Sequence, residues 1–138
     1  MDRTEAFDEI DCCLARCMYD DWDEGEDGLP VKRITPETWL NARKMIEFKP
    51  EDCPFPDRIQ PSLEGEILFY WFADRGDWPD NVIAYISHDR TVTWGSTTGR
   101  GKESKTTSGV CKIGNGFPTE IEQQLKCVMD ASLTKGTV

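Results

Sequence analysis

The side chains with the most capacity for metal or nucleophilic chemistry are six cysteines, Cys12, Cys13, Cys17, Cys53, Cys111 and Cys127, and a single histidine, His88. Cys13 and Cys17 share a helical face at i, i+4, so a zinc site would need distant ligands such as Cys53 or His88 to complete it. The sequence contains no pair of cysteines two residues apart. The cysteines read better as reduced, small, buried apolar residues. His88 falls beside a hairpin turn, and nothing in the spacing brings Cys53 or Cys111 to it as a nucleophilic pair.

The run Gly95 to Glu103 invites comparison with a phosphate-binding loop, which needs a glycine five residues before the Gly-Lys pair and a Ser or Thr after it. Here Ser96 and Glu103 hold those positions and no helix follows. The carboxylates are numerous, yet nothing marks a pair whose pKa values would be pushed apart for acid–base work. We therefore expect no catalytic residue, no metal and no cofactor, and a non-enzymatic protein.

Charge is distributed unevenly. The 138 residues carry 16 Lys and Arg against 26 Asp and Glu, a formal charge of −10. Residues 1–28 hold eleven of the acids and two bases, a balance of −9, so the remainder is close to neutral. Within that remainder, the stretch from Arg90 to Lys112 sets Arg90, Arg100, Lys102, Lys105 and Lys112 against the single acid Glu103. An acidic end and a basic loop thus share one chain. A net negative molecule opposes binding by wholesale phosphate neutralisation. No stretch approaches the ~18 apolar residues of a spanning helix, and the opening MDRTEAFDEI has no basic or apolar leader region, so the expected compartment is the cytoplasm.

The elements follow from periodicity. Residues 2–19 predict an amphipathic helix with Phe7, Ile10, Leu14, Cys17 and Met18 on one face and an Asp2/Glu5 capping pair at its start. The segment DDWDEGEDGLP ends it as an acidic linker or arm. Thr35-Pro36-Glu37 predicts the start of a second helix running to about Phe48, with Trp39, Ala42 and Ile46 buried and Leu40 and the Arg43 stem beside them. The proline-punctuated stretch from Lys49 to Ser62 should be extended.

Three strands are expected at Glu66–Phe72, Val82–His88 and Thr91–Trp94. Val110–Ile113 offers a short fourth, and Gly95–Gly109 reads as a mobile loop or ragged strands. A last helix from Pro118 should bury Ile121, Leu125, Val128, Met129 and Leu133. The fold class is α+β, a three- to four-stranded antiparallel meander packed against helices, with residues 1–28 as an acidic helix and arm and 29–138 as a single domain. Helix, three strands and helix is also the order of a double-stranded-RNA-binding domain. The last helix, however, opens as Pro118-Thr119-Glu120-Ile121-Glu122, without the basic start that such a domain needs.

The first strand is apolar on both faces: Ile67, Phe69 and Trp71 on one, Leu68, Tyr70 and Phe72 on the other. Either it is central and covered, or its second face is an interface.

Two segments carry a family resemblance. Asp21-Trp22-Asp23-Glu24-Gly25 followed by Ile34-Thr35-Pro36-Glu37-Thr38, and then Pro54-Phe55-Pro56, Ile59-Gln60-Pro61-Ser62 and Gly65-Glu66-Ile67-Leu68-Phe69-Tyr70-Trp71, resemble the opening and the strand motif of a family of small bacterial α+β proteins, mostly of unassigned activity. The resemblance spans roughly residues 18–95. It implies an α+β fold, no catalytic residues to transfer, and an accessory role beside mobile elements, in phage defence or toxin–antitoxin systems.

The resulting expectation is a protein that occupies another protein's surface, one with a basic face. The partner-binding candidates are Phe7, Ile10, Leu14, Met18, Trp22 and Asp23 in the acidic segment, and Leu68, Tyr70 and Phe72 on the strand. The alternative is a nucleic-acid-contacting subunit that uses Arg100, Lys102, Lys105 and Lys112.

Overall fold

The structure, a computed structural model, describes residues 1–19, 34–73, 80–99 and 104–136, with side chains at 1–14, 34–73, 80–99 and 104–128. Helix α1 (Arg3–Tyr19) is capped by Asp2, whose Oδ1 accepts the Glu5 N–H at 2.8 Å. Helix α2 (Pro36–Glu47) begins as its sequence predicts: Thr35 Oγ1 accepts the Thr38 N–H at 3.2 Å, and Pro36 follows the cap. Five strands come next, β1 (Arg58–Pro61), β2 (Ile67–Ala73), β3 (Asp80–Ile86), β4 (Thr91–Thr98) and β5 (Lys105–Lys112), and helix α3 (Thr119–Gly136) closes the described chain. The strands form one antiparallel meander in the order β1-β2-β3-β4-β5.

The α+β class and the meander are as expected, but the strands number five. β1 lies in the proline-rich crossing, where Pro61 is tolerated because an edge strand has no ladder partner on its outer side. β4 runs on to Thr98, and β5 starts at Lys105, so of the two expectations for this stretch, loop or ragged strands, its described residues follow the strands. The signal is weak for a physical reason: Lys105–Ser108 are exposed and only Gly109 and Cys111 are half-buried, so the strand shows no apolar alternation.

All three helices join one core with one face of the sheet. Ile67, Phe69, Trp71 and Ala73 of β2, Val82, Ala84 and Ile86 of β3, and Val92 and Trp94 of β4 meet Ala6, Ile10, Ala42, Met45, Ile46, Ile121, Leu125 and Val128. Trp71 donates its indole N–H to the Pro54 carbonyl at 3.0 Å, tying the crossing to the sheet. On α3, Ile121, Leu125 and Val128 are buried as expected, while the side chains of Met129 and Leu133 lie outside the described ones.

Two expectations are corrected here. The apolar stripe of α1 faces the protein's own core: Ile10 is fully buried and Phe7 and Leu14 pack against the cluster, so these three are not free to receive a partner. Arg3–Tyr19 is therefore part of the packed unit rather than a detached arm. Asp11 secures it, accepting from Trp39 Nε1 at 2.7 Å and from Arg43 at 3.1 Å, with the Arg43 guanidinium 4.3 Å above the Phe7 ring. The second correction concerns α2. Its buried residues are Thr38, Asn41, Ala42, Met45 and Ile46, with Trp39 turned to α1 and Leu40 left 45% exposed. The helix is rotated because Asn41 has polar work on the core side, described next. No described helix is long and apolar enough to cross a membrane.

Candidate functional site: the helix-free face of the sheet

Among the described residues, the opposite face of the sheet receives no side chain of the helical core. Register places its residues in three rows: Gln60, Leu68, Tyr85, Thr93 and Val110 form one, Arg58, Tyr70, Ile83, Gly95 and Ser108 the next, and Phe72, Asn81, Thr97 and Thr106 the third. The Tyr70 and Phe72 rings stack with centroids 5.9 Å apart and planes 13° from parallel. Tyr70, Phe72, Ile83 and Tyr85 are half-buried, and Leu68, flanked in register by Gln60 and Tyr85, is 5% exposed. A Cβ built on Gly95 would meet only the Thr107 carbonyl at 3.9 Å, so the middle row is shallow at its centre. None of the three rows contains a carboxylate, although the chain carries 26. Of the two readings of β2, the covered strand and the interface, the described helical side chains bear on the Ile67–Phe69–Trp71 face.

At one end of this face lies a cleft of about 380 Å³ lined by Glu64, Glu66, Ser87, His88, Asp89 and Thr91. The sequence brings these together through two turns. Ser62 Oγ accepts the N–H groups of Glu64 and Glu66 at 3.2 and 3.1 Å, shaping the entry to β2. Arg90, at φ 71°, turns β3 into β4, and Asp89 Oδ1 accepts the Thr91 N–H at 3.0 Å. That N–H holds the Asp89 carboxyl below its ordinary pKa. Buried Asn41 reaches from α2 to donate to the Ser87 and His88 carbonyls at 2.9 and 3.1 Å, locking the turn from beneath. The Ser87 hydroxyl is committed to Glu66 Oε2 at 3.1 Å. His88 is exposed at the turn, as its sequence position indicated. Sequence reading missed this cleft because its two halves lie more than twenty residues apart and meet only through the β2–β3 register.

The comparisons with known proteins come back empty: the chain matches no family model, no curated protein and no solved structure.

The other candidates scatter. The side chain of Met18, and Trp22, Asp23, Arg100 and Lys102, lie outside what is described. Lys105 and Lys112 sit at the two ends of β5 and, by register with Thr98 and Thr91, on opposite faces of the sheet, so the structure does not gather them into one patch.

Among the described cysteines, Cys12, Cys53, Cys111 and Cys127 are free thiols. The residues best placed to hold a cation are Asp52, Cys53 and Glu122, whose ligand atoms lie within 4.8 Å of one another. A protein cation already sits there: Lys126 Nζ is 3.2 Å from Asp52 and 3.4 Å from Glu122, and their hydrogen bonds and charges raise its pKa. Burial, with the charges of Asp52 and Glu122, pushes the Cys53 thiol up. Nearby Lys49 is buried, donating to the Cys53 and Pro50 carbonyls at 2.6 and 2.9 Å with its ammonium 4.1 Å from the Phe55 ring centre, and burial lowers its pKa. This cluster ties the crossing to the core.

Proposed function

We propose that this chain is a non-enzymatic, protein-binding component that acts by laying the helix-free face of its sheet against a partner. The observation that carries the reading is the half-buried cluster of Tyr70, Phe72, Ile83 and Tyr85, contiguous in register on the face opposite the described helices, with Leu68 buried beside it. Aromatic rings ringed by Thr, Ser, Gln and Asn form an apolar centre with a polar rim, the usual anatomy of a protein interface. The family resemblance supports placing that partner in a bacterial or phage conflict system. The acidity of residues 1–28 supports a partner with basic surface beside the contact.

A second reading, single-stranded nucleic acid on the same face, draws on its stacked rings, the absence of carboxylates from its three central rows and the cations Arg58 and Lys112 at its two margins, although Glu66 shares the Lys112 row. Filter binding of an oligothymidylate at low and high salt separates the two. Binding that falls steeply with salt would favour nucleic acid. Protein binding is tested by replacing Tyr70 with Lys and following both the fold and partner capture.

A further inference from the structure

We propose that β5 is a self-pairing edge: two copies of the chain join their β5 strands antiparallel about a two-fold axis at Gly109, making one continuous sheet. β5 pairs with β4 over its whole length without a bulge, is the last strand in the sheet, and is exposed at Thr106, Ser108, Val110 and Lys112, Val110 to 62%. The Ile113 N–H bonds to the Arg90 carbonyl at 2.9 Å, which sets the phase of the ladder. Odd-numbered residues of β5 bond to β4, and Thr106, Ser108, Val110 and Lys112 direct their N–H and C=O groups outward. Such a row is a template for another strand. The opposite edge, β1, is four residues long and packs against α1. Among the described strands β5 is therefore the longer edge, and pairing there about a two-fold axis closes at two copies instead of propagating.

The sequence favours a second copy of itself in one register. A two-fold axis normal to the sheet opposes residues that lie on the same face. Centred on Gly109, it sets Thr106 against Lys112 of the second copy and Ser108 against Val110, so every outward residue of the strand is used. Each lysine then faces a threonine or an isoleucine, Lys112 opposite Thr106 and Lys105 opposite Ile113, and no two lysines oppose one another. A centre at Ser108 or at Val110 would leave outward residues of the strand facing positions beyond the partner strand. The same axis puts both helix-free faces on one side of the dimer, doubling the surface assigned above to partner binding.

The test uses the full chain. Sedimentation across a rising concentration series is expected to show a monomer–dimer equilibrium, retained in Tyr70→Lys, so that failure of dimerisation and failure of partner binding are read separately. Thr107→Cys then reports the register. Thr107 stands opposite Cys111 of the second copy in a non-hydrogen-bonded pair, with Cβ atoms about 4.5–5.5 Å apart. Within one chain, the two positions are about 13 Å apart along the strand, beyond disulfide reach. Mild oxidation in a Cys12→Ser, Cys127→Ser background should give a covalent dimer whose linked peptides contain positions 107 and 111. Ser108→Pro, which removes an outward N–H, should weaken the dimer at least about tenfold, or ~1.4 kcal/mol. A monomer at every concentration, or a dimer that does not form the 107–111 link, would overturn the proposal.

Discussion

The indole of Trp94 lies over Gly109: a Cβ built on that glycine would stand 2.7 Å from Cζ2 and 2.9 Å from Nε1 of the ring. The ring is held there by its own N–H, which donates to Glu120 Oε2 on α3 at 2.9 Å, next to a second tie from Ser96 Oγ to Gln124 Oε1 at 2.7 Å. Trp94 therefore spans from the last helix to the edge strand, covering a glycine that has no side chain of its own to pack.

Two glycines on neighbouring strands should consequently respond in opposite ways. Gly109→Val must displace the indole and is expected to cost about 1–3 kcal/mol. Gly95→Val meets open space on the other face and should be neutral or stabilising, since a β-branched residue suits a strand better than glycine. Urea unfolding with tryptophan fluorescence checks both, and equal effects would contradict the placement of Trp94.

Asn41→Ala removes both hydrogen bonds to the β3–β4 turn and leaves two carbonyls without their donor. We expect about 1–3 kcal/mol of destabilisation. Amide exchange at Ser87, whose N–H bonds to the Thr91 carbonyl at 3.0 Å, should accelerate more than at the centre of β2.

Much of this fold was legible because caps and apolar periods are local signals. Thr35-Pro36-Glu37 announced α2, the continuous apolar and aromatic run Ile67–Ala73 announced β2, and Ile121, Leu125 and Val128 announced the buried side of α3. What escaped depends on tertiary context. Asn41 is polar, so nothing in the spacing marks it as a core-side residue; only the distant turn that it holds explains its burial. The stripe Phe7–Ile10–Leu14 was legible as a stripe, but a helix packed on its own core and a helix awaiting a partner share one pattern. Of the site candidates, the Leu68–Tyr70–Phe72 face was readable from the sequence, whereas Ile83, Tyr85 and Gly95 join it only through register.

Ile10→Ala decides between the two uses of α1. Full burial in the core predicts a loss of about 2–5 kcal/mol by chemical denaturation. A loss below about 1 kcal/mol would return the helix to the candidate interaction surface.

Alkaline pH should report on Cys111. Burial, and then the charge of Glu120, push its thiol from the ordinary 9.0 up to about 11. The unfolded chain releases this proton first, so the contribution to stability is complete below pH 9 and is lost as pH rises through about 11. Stability measured against pH should fall less steeply over that window in Cys111→Ala than in the parent. Identical slopes would contradict the burial of the thiol.

The central claim, that the helix-free face receives a protein partner, is tested most directly by quantitative capture with three lysine variants whose folding is first verified by circular dichroism. Tyr70→Lys and Gly95→Lys place a charge on that face, and Leu40→Lys places the same charge on the exposed side of α2. The account predicts a partner retained by the parent and by Leu40→Lys and lost by about tenfold or more with both face variants. Retention of the same partner by folded Tyr70→Lys and Gly95→Lys would contradict it.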